Sequence, residues 1–227
     1  MGSTRSVPLL PPASSLDQRV RAELVRNAYD DSIFGAPFAA GVAVLLAATM
    51  RTAMEAEVVY PWLAAMFACN GLRLLARWAF RRQPVPASQI AAWEYGFIIL
   101  SAATGLCVGW GMWLFYGAPD PIFRVIVVFV LAGLTTGASR LLAPIFWANV
   151  SYLLLSVVPL ELRFVQGSDL RGYALGVMCV LYLGYMTVAA RQQLRTLRRL
   201  IRLGYENTAL VESIGARRTA RNISTAS

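Results

Sequence analysis

Residues 90–116 read IAAWEYGFIILSAATGLCVGWGMWLFY, and the single charge among them is Glu94. A helix needs about 20 apolar residues to cross the ~30 Å hydrocarbon layer of a bilayer. A water-soluble core helix of ordinary length needs no run of this kind. The stretch reads as a membrane span, and the pattern recurs. Six spans are expected, at 32–50, 58–80, 90–116, 121–139, 141–162 and 172–190. The chain as a whole is 57% hydrophobic and 15% charged, whereas globular chains carry about 25% charge. The expected fold class is all-α, a six-helix transmembrane bundle with a C-terminal cytoplasmic helix or coiled coil.

Arginine sets the orientation. The net charge is +9, and all 21 basic residues are arginine. With the N-terminus in the cytoplasm and six crossings, 17 of the 21 fall on the cytoplasmic side. Arg51, Arg124, Arg163 and Arg171 are left outside. That bias follows the positive-inside rule, and an odd number of spans would divide the two richest clusters. Arginines beside apolar segments point to lipid headgroups as the partner, not to nucleic acid. The outer loops, RTAMEAE, GAPDP and RFVQGSDLR, are short. A stimulus would therefore have to reach the bundle itself.

Residues 1–14 contain prolines at 8, 11 and 12 and are expected to be disordered. Residues 15–31 predict a short amphipathic helix, with Ser15 as N-cap and Leu16, Val20 and Leu24 on one face. The spans at 32–190 carry three Gly-xxx-Gly spacings: Gly105/Gly109, Gly133/Gly137 and Gly172/Gly176. Such pairs let helix backbones approach closely, within one bundle or between two copies. Tyr60, Trp62, Trp110, Trp113 and Tyr116 lie near span ends, where interfacial anchoring is the default. Cys69, Cys107 and Cys179, an odd set inside apolar runs, read as packing residues.

Polar side chains at membrane depth are costly and single out candidate sites. Asn70, Glu94, Thr136, Arg140 and Asn149 are the principal ones. Thr135, Ser139, Ser151 and Ser156 accompany them. Glu94 and Arg140 fall on the same side of the bilayer and are expected to pair. Their default role is to tie helices together. A water path lined by Asn70, Thr136 and Asn149 would instead indicate a small transporter or channel. Histidine is absent, which removes the commonest acid–base group and metal ligand. No phosphate loop, Cys-x-x-Cys or nucleophile motif occurs. No catalytic, cofactor-binding or metal-binding residue is expected.

The tail then departs from this pattern. In LRTLRRLIRLGYENTALVESI, residues 194–214, the positions Leu200, Leu203, Asn207, Leu210 and Ile214 are spaced 3, 4, 3, 4. This is a heptad seam with one polar a-position, of the kind that sets a two-stranded register. A helix continuing from the last span through 191–216 and pairing with its twin is expected, giving a homodimer. Membrane tethering would compensate for so short a seam by raising the local concentration.

The tail resembles the connector of bacterial sensor histidine kinases, in which a run of the type L-R-L-R-[FY]-E-N-x-x-L follows a multi-span input domain. Tyr205, Glu206, Asn207 and Leu210 match it, with Gly204 where arginine is usual. Asn222, Ala226 and Ser227 match a later segment more loosely, and its lysine is missing. The six-span region is similar to the input domains of such kinases and of some diguanylate cyclases. The resemblance implies an input domain in the bacterial inner membrane, a connector at 217–227, and a kinase or cyclase in cis beyond residue 227. It implies no phosphotransfer by the residues present.

Overall fold

The computed structural model describes residues 13–82, 86–166 and 170–225, without the side chains of 13–16, 87, 171, 206 and 208–225. Six α-helices run in sequence: α1 (Ala13–Met50), α2 (Ala56–Arg82), α3 (Ile90–Phe115), α4 (Pro121–Leu142), α5 (Phe146–Gln166) and α6 (Leu170–Thr225). A single 3₁₀ turn, Ala87–Gln89, precedes α3. Each of the six contains a stretch long and apolar enough to cross a bilayer. The protein is an all-helical, multi-pass membrane bundle. Six crossings bring both ends of the described chain to one end of the bundle, with α1, α3 and α5 running away from it and α2, α4 and α6 returning.

Three boundaries differ from the expected ones. The amphipathic segment 15–31 and the span 32–50 form one helix, α1, with Pro37 inside it. That helix is under way at Ala13, so Ser15 lies in the first turn and does not cap it. α5 begins at Phe146, not at 141, because Leu141 and Leu142 complete α4 and Pro144 occupies the turn between them. Span and tail form one unbroken helix, α6, as expected, but it runs on through Thr225 and does not end at 216. The expected disordered region, 1–14, lies almost wholly outside the described residues.

The most extensive helix pair is α3 with α5, which run parallel through the middle of the bundle. Glycine makes this closeness possible. A Cβ on Gly105 would come within 2.6 Å of the Tyr152 carbonyl oxygen, and one on Gly109 would collide with the carbonyl oxygen of Leu155. Pro159 has no N–H to offer Leu155 four residues back, so that carbonyl lacks its intrahelical donor. The Gly109 Cα–H points at it instead, a weak bond suited to a place without water. The Gly105/Gly109 pair therefore packs inside the bundle, while Gly133 and Gly137 face open space.

Trp62 is expected at an interface and is instead buried between α2 and α3. Its ring fills the space left by the missing side chain of Gly111, and its Nε1 donates to the Cys107 carbonyl at 3.0 Å. Tyr60 and Trp110 remain exposed, as anchoring residues would be. At the far end Arg51, Arg124 and Arg163 lie over the rings of Tyr60, Tyr116 and Trp113, at 5.6, 5.6 and 5.1 Å from the centroids. Cation–π contact there supplies these guanidinium groups with a partner other than a carboxylate.

Candidate functional site

The functional geometry is concentrated at the termini-bearing end, and α1 organises it. Tyr29 is 2% exposed. Its ring stacks on Phe80 at 4.7 Å and meets Trp93 and Phe97 edge-on. Its hydroxyl donates to the Trp93 carbonyl at 3.0 Å. Ion pairs surround this aromatic knot. Asp30 accepts from Arg81 of α2 at 2.8 Å, with Arg77 3.9 Å away. Arg21 donates to Glu94 of α3 at 2.7 Å. Asp17 lies 3.6 Å from Arg202 of α6. One helix is thus tied to three others, each through a different charge.

This arrangement corrects the expected Glu94–Arg140 pair. Glu94 pairs with Arg21, and Arg140, exposed at the end of α4, makes no ion pair among the described residues. Arg21 is close enough because α1 extends beyond the span as a helix.

The other predicted polar residues do not converge. Asn70 is buried and donates to the Met66 carbonyl of its own helix, with its oxygen unpartnered. Asn149 is 0% exposed, and neither atom of its amide has a partner among the described residues. Thr136 is exposed, yet its hydroxyl lies 3.1 Å from the Tyr182 hydroxyl. Thr135 is 2.7 Å from the same oxygen, so the two threonines and Tyr182 tie α4 to α6 at membrane depth. None of Asn70, Thr136 and Asn149 lines the cavity beside Arg73, which does not support a water path through them.

That cavity has a volume of about 380 Å³. It lies among α1, α2, α3, α4 and α5, and Arg73, which the sequence marked only as one of a cluster of arginines, forms part of its wall. The Arg73 Nε is buried with no hydrogen-bond partner among the described residues, and its guanidinium carbon is 5.5 Å from the Phe97 centroid.

The tail carries two apolar stripes. Leu194, Leu197, Ile201 and Tyr205 pack on Val20 and Leu24 of α1 and on Phe146. Leu200 and Leu203 are 61% and 59% exposed, and Asn207 is exposed as well. At 100° per residue the stripes lie about 150° apart round the helix. Arg191, Arg195, Arg198, Arg199 and Arg202 occupy one flank between them. Leu210 and Ile214 continue the open stripe in the helical register, and their side chains, like that of Glu206, lie outside the described residues. Tyr205, part of the connector motif, is half-buried against α1 and so serves the inner stripe.

Among the described residues no group of three or more histidine, cysteine or acidic side chains could hold a metal ion. The three cysteines are free. No family model, curated protein or solved structure matches the chain.

Proposed function

We propose that this chain is the membrane-embedded sensory input and dimerisation region of a bacterial two-component sensor histidine kinase. Its termini lie in the cytoplasm, and it relays a stimulus through α6 to a kinase in cis. The observation that carries this reading is the two-sided tail. α6 leaves the bundle without a break, holds α1 with one apolar stripe, and presents Leu200, Leu203 and Asn207 on the other. A charged helix with an uncovered heptad stripe is suited to a second copy of itself. The arginine distribution supports the cytoplasmic placement of that end. A stimulus that turns or tilts α6 would change how two such stripes meet, and bistable packing would convert a small shift into a discrete one. The same architecture could serve a diguanylate cyclase, and the output domain distinguishes the two.

Cysteine crosslinking in native membranes tests the seam, in a background with Cys69, Cys107 and Cys179 replaced by alanine. Leu200→Cys and Leu203→Cys should each give covalent dimers under mild oxidation. Leu197→Cys and Ile201→Cys, on the stripe that packs against α1, should give few. Equal crosslinking on both stripes, or none at either, rejects the proposal.

A further inference from the structure

The cavity that holds Arg73 is polarised along the bilayer normal. Asp31, Ser32 and Arg73 line it towards the termini-bearing end. Phe38, Val108 and Leu134 line it towards the middle of the bundle. α3 repeats the gradient of α1, with the apolar Val108 deeper than Thr104, whereas the α4 wall, from Leu142 to Leu134, is apolar throughout. The floor is closed, with Thr104, Val108, Leu142 and Tyr152 all buried. The mouth is lateral. Phe34, Phe38 and Gly137, which border it on α1 and α4, are exposed on the face that lipid would cover.

Arg73 is the unusual group. It sits nine residues before the end of α2, about 13 Å along the helix. No carboxylate lies within 4 Å of it among the described residues, since Asp30 is engaged by Arg81 and Arg77. A cation at such depth is expensive unless an anion or a set of acceptors meets it. The bundle supplies an aromatic face and an open chamber.

We propose that this chamber binds a single-chain amphiphile with a carboxylate head, which enters sideways between α1 and α4 from the adjacent leaflet. Its head accepts hydrogen bonds from Arg73, and its tail lies along Phe38, Val108 and Leu134. Three observations select this class. The chamber's polarity matches that of a leaflet, head outward and tail inward. Its volume, about 380 Å³, is at the low end of the ~300–1,000 Å³ typical of small-molecule pockets and suits one acyl chain. Asp31 lines the same wall and makes no ion pair with the described cations, so a monoanion is favoured over a dianionic phosphate. The site belongs to the bundle alone and stands whether or not the tail dimerises.

The test uses the purified chain in nanodiscs of zwitterionic lipid. Binding of oleate, oleyl alcohol and an oleoyl lysophosphatidate is measured by native mass spectrometry and by competition with a photoactivatable fatty acid. Oleate should bind one per chain, at least tenfold more tightly than oleyl alcohol and more tightly than the lysophosphatidate. Arg73→Gln should abolish the preference for oleate over the alcohol, and Arg73→Lys should retain part of it. Gly137→Leu projects into open space, so the fold should survive while all three ligands lose affinity. It also keeps the proposal testable should Arg73→Gln fail to fold. Equal binding of oleate and the alcohol, preference for the phosphate head, or unchanged affinity in Gly137→Leu overturns the assignment.

Discussion

Gly109 of α3 lies against the carbonyl oxygen of Leu155 in α5, a carbonyl that Pro159 leaves without its helical donor. The contact joins two sequence features that look independent, a small residue in one span and a helix breaker in another. Gly109→Ala should therefore cost about 1–3 kcal/mol, as overpacked cores do, and Gly109→Leu should prevent assembly. Gly133→Ala, on an open face, should be neutral or should stabilise by up to about 1 kcal/mol. Thermal unfolding in detergent, followed by size-exclusion fluorescence, checks both. Equal tolerance at the two positions would mean that the helices are not in this register.

Tyr29 is the keystone of the termini-bearing end. Tyr29→Ala removes a buried ring that touches three others, and a loss of about 3–5 kcal/mol is expected. Tyr29→Phe keeps the ring and loses only the bond to the Trp93 carbonyl, at about 1 kcal/mol. A ratio near one between the two losses in a denaturation series would show that packing is not what Tyr29 contributes.

The Arg21–Glu94 pair can be separated from the sequence-expected one by charge exchange. Arg21→Glu and Glu94→Arg should each destabilise the fold, and the double exchange should recover most of the loss. Arg21 is 54% exposed, so the effect is about 1 kcal/mol or less. Exchanging Arg140 and Glu94 should recover nothing. Stability of the three single and two double variants, measured at low salt, decides between the partners.

Ile201→Asp would place a carboxylate in the apolar seam between α1 and α6. Hydrogen exchange should then quicken in residues 17–26 and 194–205 and remain unchanged in α3 and α5. Uniform acceleration throughout the bundle would mean that this seam is not a separable unit.

The number of helices was legible in the sequence because hydrocarbon imposes length and apolarity on each span separately. What escaped was tertiary. Asp30 and Asp31 interrupt the hydropathy of α1 and suggested two segments, yet Arg81 and Arg77 on another helix meet Asp30 and let one helix continue. Trp62 could not be placed because its space is created by Gly111, 49 positions away. The pairing of Glu94 depended on how far α1 extends. Arg73 counted in the sequence only as one of the 17 arginines marking orientation, and its isolation appears only once Asp30 is seen to be engaged by Arg81 and Arg77. The heptad stripe, by contrast, is a local periodicity, readable without tertiary information, and Leu200 and Leu203 on it are exposed in the single chain.

α1 carries residues 13–30 ahead of its apolar part, roughly 27 Å of helix, and they brace the first turns of the emerging α6. Entry and exit of the chain thus form a two-rod stalk. Such a stalk bends less than a lone helix, so an angular change made within the bilayer would arrive at its far end as a displacement and would not dissipate in flexing. If α6 relays a stimulus as proposed, shortening the first rod from its N-terminal end should blunt transmission even though residues 17–27 line neither the chamber nor the open stripe.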